Sequence, residues 1–233
     1  LRHRGNIPFM VPQDKTVTSP DITSRKLKVI YDTLPPNLYE SARISRIYHS
    51  NRYRVAAQYL RDIHGLILDV GCNGGLFANL LAKGGRKVVG LDISSSFLRH
   101  AHRLYRGTID FVLGDAQMLP FPKDVFDGIS CLEVLEHVIM PEKVIREIFR
   151  VLKPGGKAIF MVPNEEHPLY KIIWSIWRYL GRGRYWNGLH LHVFDKRALC
   201  NVFSSNGFSI KSLDFCNFGM LLIIKAVKPR VES

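Results

Sequence analysis

The stretch from Leu66 to Lys83 constrains this chain most. Leu66-Ile-Leu-Asp-Val70 is a short apolar run holding a carboxylate near its end. Gly71-Cys-Asn-Gly-Gly75 follows without a spacer, and Leu76–Lys83 has helical periodicity. A strand too apolar to keep a wet face, feeding a helix through a glycine-rich turn, opens a βαβ unit of a parallel sheet. The alternation continues with a strand at Lys87–Leu91, a helix at Ser94–Arg106 and a strand at Ile109–Leu113. A further strand, Phe126–Leu132, is entered past Pro120 and Pro122. A helix at Pro141–Leu152 is then stopped by Lys153-Pro-Gly-Gly156, and Lys157–Val162 is the next strand. Right-handed crossovers between such strands wind a sheet with helices on both faces.

The remainder breaks that rhythm. Pro168–Leu180 reads as a very apolar helix and Lys196–Ser205 as an amphipathic one. Phe208–Phe215 and Phe218–Val227 are strands joined too closely for a parallel crossover, so they pair antiparallel. The expected fold class is therefore α/β: a Rossmann-like, doubly wound, mostly parallel seven-stranded sheet with an antiparallel last strand. Residues 1–24 are rich in Pro, Ser, Thr and Asp without periodicity. Two helical stretches follow between Ser24 and His64, interrupted at Pro35-Pro36, the second over Arg52–Ile63. The division expected is an N-terminal arm with helices over 1–50 and one α/β domain over 51–233, carrying a lid-like insertion at about 165–192.

Composition narrows the partners. Most of the net charge of +13 lies outside residues 65–164, so the middle is nearly neutral and both flanks are basic. Cys72, Cys131, Cys200 and Cys216 form no CxxC pair, as expected of reduced thiols in a cytoplasmic protein. The chain opens on Leu1 with no charged-then-apolar leader, and no apolar run reaches the ~20 residues of a membrane span.

Ligands of doubly wound sheets sit at the carboxyl ends of the strands. That points to Asp69, the turn after it, Asp92, Asp115 and Glu133. A nicotinamide fingerprint, G-x-G-x-x-G, would place a pyrophosphate on the helix N-terminus. Here Gly71-x-Asn73-x-Gly75 is one residue tighter and follows the acidic Asp69. A carboxylate there repels a pyrophosphate and favours a ligand carrying an ammonium group and no phosphate, as S-adenosylmethionine does.

Leu68–Ala78 (LDVGCNGGLFA) resembles motif I of class I S-adenosylmethionine-dependent methyltransferases. Val89-Gly-Leu-Asp-Ile93 is similar to the second motif and Gly114-Asp115-Ala116 to the third. Leu132-Glu-Val-Leu-Glu-His137 and Leu152-Lys-Pro-Gly-Gly156 resemble the fourth and fifth. The pattern, over about residues 54–165, resembles that of the type 11 group, which includes the ubiquinone-biosynthesis methyltransferases. Asn73 and Gly74 depart from that group's GCGTG. The resemblance implies that Asp69 and the backbone at Gly71 and Cys72 face the methionine part of the cofactor, with Gly75 permitting the close turn. It implies that Asp92 binds the ribose, Ile93 packs on the adenine, and Asp115 and Ala116 hold its edge. Leu132 and Glu133 would lie beside the sulfonium, and Arg54 would meet the cofactor carboxylate.

Methyl transfer to oxygen or nitrogen calls for positioning and for a base near neutral pH. His137, just after the fourth strand, is the first candidate for that catalytic role; His167, His190 and His192 come from segments that should cap the pocket. Glu133, Glu136 and His137 also form E-x-x-E-H, over which His190-Leu-His192 could fold, a plausible divalent-metal set. Certain quinone and small-RNA methyltransferases are similar here and use a metal; the motif is also common in relatives with no known metal, where Glu136 caps structure and His137 packs the loop.

The segment 168–186 is the substrate clue. Its aromatic and aliphatic residues, among them Trp174 and Trp177, are followed by Arg182, Arg184 and Trp186. They suit a lid over a small, hydrophobic or lipid-like acceptor, or contact with a membrane interface in a protein peripheral to it. Two other functions are weighed against this one. The basic flanks would serve an RNA methyltransferase, and a non-catalytic cofactor-binding relative would use the pocket without turnover.

Overall fold

The computed structural model describes residues 22–34, 43–179 and 190–230, and the side chains among them except those of 22–27, 43–49 and 177–179. Two helices, α1 (Ile22–Thr33) and α2 (Arg43–Tyr59), precede the alternating part. There β1 (Leu66–Val70), α3 (Leu76–Lys83), β2 (Lys87–Asp92), α4 (Ser95–Tyr105), β3 (Asp110–Leu113) and β4 (Phe126–Leu132) follow in turn. After a 3₁₀ turn at Leu135–His137 come α5 (Pro141–Val151), β5 (Leu152–Pro163), α6 (Pro168–Tyr179), α7 (Lys196–Ser205), β6 (Ser209–Cys216) and β7 (Leu221–Val227).

The strands form one sheet in the order β3-β2-β1-β4-β5-β7-β6. β1 to β5 run parallel, and β7 lies antiparallel to both β5 and β6. The mixed seven-stranded sheet is the one expected. β5 begins earlier than its apolar run, because Leu152 already pairs with Phe126 before the register shifts and Lys157 pairs with Gly128. The Lys-Pro-Gly-Gly stop is thus an irregularity inside the strand, not a loop before it.

Side chains of β1 alternate between the two faces. Leu68 and Val70 join an apolar layer with Ile145 and Ile148 of α5 and Leu199 and Phe203 of α7. Ile67 joins the other layer with Leu60 just after α2, Phe77 and Leu81 of α3, and Met161 of β5. Each such fully buried side chain contributes about 1.5–3 kcal/mol. Phe160 meets Phe203 edge to face, centroids 4.5 Å apart, which pins α7 over the centre of β5.

The N-terminal helices join this body. α2 runs across the boundary expected between residues 50 and 51, and Tyr53 stacks on Phe77 at 5.1 Å. In α1, Asp32 reaches the start of α4. Among the described residues no helix is long and apolar enough to cross a membrane.

Candidate functional site

Strand order reverses between β1 and β4, and a cleft opens at their carboxyl ends, as this topology dictates. It is open to solvent and is lined by residues including Tyr31, Gly71, Asn73, Asp92, Ile93, Asp115, Ala116, Gln117, Glu133 and His137.

The turn after β1 is shaped by its sequence. Gly71 has φ +71°, and a Cβ there would come within 2.3 Å of Val134 Cγ2. Asn73 has φ +52°, a left-handed conformation that asparagine tolerates. Its N–H donates to Asp92 Oδ2 at 2.9 Å, and the N–H of Ser94 donates to Oδ1 at 2.8 Å. A carboxylate offers about four lone-pair sites, so Asp92 retains acceptor capacity for a diol in the cleft. Burial pushes its carboxyl up to about 6.

Asp69 stands behind the turn. It is buried, accepts the Ser130 hydroxyl at 2.7 Å, and is pushed up to about 7 by burial. An ammonium placed nearby would favour its ionised form. Asp115 follows Gly114, whose N–H donates to the Asp92 carbonyl at 3.0 Å, and it receives the backbone N–H of Gln117 at 2.8 Å, while Gln117 Oε1 accepts from Met140 N–H at 3.0 Å. These bonds fix the rim beside Asp92.

Of the residues expected at the cofactor, Gly71, Asp92, Ile93, Asp115, Ala116 and Glu133 line the cleft, and Asp69, Cys72, Gly75 and Leu132 lie outside its lining. Arg54 does not reach it: it is exposed and donates to Asn51 Oδ1 at 3.2 Å. Arg52 faces inward instead. It is buried, lies 4.9 Å over the Tyr53 ring and forms an ion pair with Glu133. The two arginines stand two residues apart on a helix, about 200° around its axis, so they point to opposite sides. Glu133 itself has φ +53°, backbone strain of the kind that collects at functional sites.

The E-x-x-E-H run is divided by the fold. Glu136, His137 and His190 converge, with ligand atoms all within 4.8 Å of one another, while Glu133 turns to Arg52. Both carboxylate oxygens of Glu136 are buried without a hydrogen-bond partner among the described residues, and burial raises this carboxyl well above its ordinary value. The backbone N–H of Leu191 donates to the Glu136 carbonyl at 2.7 Å, which folds the His190 segment over the site. Glu165 holds His190 through Nδ1. His192 serves the loop instead, with Nε2 3.0 Å from the Val138 carbonyl. His167 lies under Gly219, away from the cleft lining.

α6 meets this cluster through its rings. Tyr170 stacks on Trp174 at 5.7 Å, Trp174 lies 5.3 Å from His190, and His190 lies 4.9 Å from His137. The opposite side of α6 presents Ile172, Ile173 and Ile176 to solvent. The helix therefore touches the cluster through Trp174 and is not sealed inside the sheet, and none of its described residues is in the cleft lining. Trp177, Arg182, Arg184 and Trp186 lie outside the described side chains.

Residues 68–160 match the family model described as a methyltransferase domain. The ubiquinone biosynthesis O-methyltransferase of Coxiella burnetii (strain Dugway 5J108-111) is 38% identical over 108 residues, which cover 45% of this chain and 46% of that protein. The chain thus matches the curated relatives over about half their length. A solved S-adenosylmethionine-dependent methyltransferase from Mesorhizobium loti is similar with TM-score 0.61 and 24% identity over 75% of this chain and 96% of that one. The [4+2]-cyclase SpnF is similar with TM-score 0.63 and 21% identity over 77% of this chain and 80% of that one. These structural likenesses establish the fold, and a fold shared with a cyclase leaves the chemistry to the site.

Proposed function

With a methyltransferase domain at residues 68–160, we propose that the chain is an S-adenosylmethionine-dependent methyltransferase acting on a small, hydrophobic, lipid-like acceptor. The observation that carries the reading is the pair of buried carboxylates, Asp69 and Asp92, on adjacent strand ends around the left-handed turn. Asp92, in the cleft lining, suits a ribose diol, and Asp69, just behind the lining, adds the negative charge that favours a ligand with an ammonium group. When bound, the sulfonium supplies an already activated methyl group. The protein's part is to align the acceptor, exclude water and take the acceptor's proton. His137, which lines the cleft, is the candidate for that last task, as a base or through the ion considered below, and Trp174 of α6 lies beyond it against His190.

The acceptor class rests on α6 and on the matched relative's name, which concerns ubiquinone biosynthesis. The outward Ile172, Ile173 and Ile176 suit contact with a lipid interface. No comparable observation favours the RNA-methyltransferase or non-catalytic alternatives. Calorimetric titration with S-adenosylhomocysteine tests the central reading. Binding is expected, and binding of NADH in its place would overturn it.

Glu136 favours a second element of this reading, a divalent cation. A buried carboxylate that receives no hydrogen bond among the described residues is stabilised by a proton or a cation. His137 and His190 complete a mixed oxygen and nitrogen set, and Glu165 orients His190 as an outer carboxylate does for a ligating histidine. An ion held there would supply Lewis acidity to an acceptor oxygen.

A further inference from the structure

Tyr31 reaches the cleft from α1, outside the sheet and its loops. Its hydroxyl oxygen is buried, yet it has no hydrogen-bond partner among the described residues. A buried hydroxyl left unpaired is unfavourable, and such an atom in a ligand cleft points to a bond completed by the ligand. The ring stands edge-on to His137, centroids 6.0 Å apart. Both Asp92 and Glu136 act electrostatically on the hydroxyl, along with its burial. Tyr31 therefore stands over the passage between the diol-binding end and the histidine end.

Its neighbour explains how it is held there. Asp32 Oδ1 accepts the Ser94 hydroxyl at 2.7 Å, the Ser95 hydroxyl at 3.3 Å and the backbone N–H of Ser96 at 3.1 Å. A carboxylate on the first turn of α4 is also favoured by the helix dipole. Ser94 is the residue whose N–H donates to Asp92. The clasp on α1 and the diol-binding carboxylate thus share one residue.

We propose that the Tyr31 hydroxyl is a cofactor-binding group, hydrogen-bonding the S-adenosyl ligand, and that the Asp32 clasp makes α1 the roof that delivers it. The inference rests on the methyltransferase reading and adds a binding residue to it. The test is calorimetry of the full chain with S-adenosylhomocysteine, alongside melting of the ligand-free protein. Tyr31→Phe is expected to weaken binding about three- to tenfold, the effect of one neutral hydrogen bond, and to raise the ligand-free Tm by removing an unpaired buried hydroxyl. Asp32→Ala, which leaves Tyr31 intact, is expected to weaken binding at least as much, and adding it to Tyr31→Phe should cost less than it does alone. Wild-type binding with an unchanged affinity in Tyr31→Phe would overturn this inference and leave the methyltransferase reading standing. A wild-type chain that does not bind the ligand would overturn both.

Discussion

Ser130 and Asp69 face each other across β4 and β1 in the parallel register, and the serine hydroxyl donates to the aspartate over 2.7 Å. Both are buried. A serine inside an apolar strand is therefore explained by the carboxylate beside it, whose charged form it stabilises. Ser130→Ala should drive the Asp69 carboxyl further up and weaken cofactor binding at neutral pH. The loss should shrink as pH is raised. Calorimetry at pH 6.5 and 8.5 measures this, and equal losses at both values would contradict it.

Asp69 and Asp92 also set a pH dependence. Their carboxyls lie at about 7 and about 6, raised by burial, and a ligand offering an ammonium group and hydroxyl donors selects the ionised forms. Affinity for S-adenosylhomocysteine should therefore fall as pH drops from 8 to 5, by about tenfold per pH unit for each carboxyl that must ionise. The stability of the ligand-free protein should respond with the opposite sign. Carboxyls raised on folding bind protons more tightly in the native state, so their unfavourable contribution diminishes as pH falls from about 7 toward the unfolded value near 4. Melting curves with and without ligand should thus diverge above pH 7 and converge near pH 5.

Asp92→Ala removes an acceptor held by Asn73 and Ser94 and open to the cleft. Two hydrogen bonds to a charged acceptor contribute about 1.5–3 kcal/mol each, so cofactor affinity should fall a hundredfold or more. Retained affinity with an unchanged far-UV spectrum would move the diol-binding role elsewhere.

Glu136 separates the two roles considered for His137. If the cluster of Glu136, His137 and His190 holds an ion, a divalent cation raises the Tm of the wild type and not that of Glu136→Gln. Chelation then abolishes turnover, and cofactor binding is unaffected. This is the expected result. If the cation leaves the wild-type Tm unchanged and chelation spares turnover while His137→Ala loses it, His137 acts as a base without metal.

Much of this was legible from spacing. Alternating apolar runs give the parallel sheet, because strands buried on both faces must be apolar throughout. The short join between β6 and β7 gives the reversed strand. Asp92 and Asp115 are readable because strand ends face the cleft in this topology. The sequence is silent where a side chain arrives from outside the pattern. Nothing in the spacing of α1 distinguishes Tyr31 from a surface tyrosine; only the Asp32 clasp aims it. Arg54 and Arg52 differ by which side of α2 meets Glu133, and weak amphipathicity in Arg-Ile-Ser-Arg-Ile-Tyr-His-Ser-Asn-Arg-Tyr-Arg leaves that rotation undetermined. Glu133 likewise left the metal set because its partner came from a distant helix.

The two sides of α6 should respond differently to substitution. Trp174 is half-buried between Tyr170 and His190, so Trp174→Ala removes packing together with the apolar surface that the proposed function assigns to the acceptor. Ile172 and Ile176 are more than half exposed, at 58% and 54%, and carry little of the fold's stability, since solvent-facing substitutions generally stay within about ±0.5 kcal/mol. A series of phenols with alkyl tails of increasing length, supplied with S-adenosylmethionine, separates the contributions. In the wild type, KM should fall as the tail lengthens, because each buried methylene contributes about 0.8 kcal/mol. In Trp174→Ala that gain should flatten while S-adenosylhomocysteine affinity is retained, and the Tm should fall modestly. Ile172→Ser with Ile176→Ser should leave Tm, cofactor affinity and KM for short-tailed phenols unchanged. If α6 meets a lipid interface, the same pair should lower co-sedimentation with anionic vesicles and raise KM only for acceptors presented in them. A tail-length series that is flat in the wild type would remove the hydrophobic acceptor from the proposal, and leave the methyl-transfer chemistry to be tested on polar substrates.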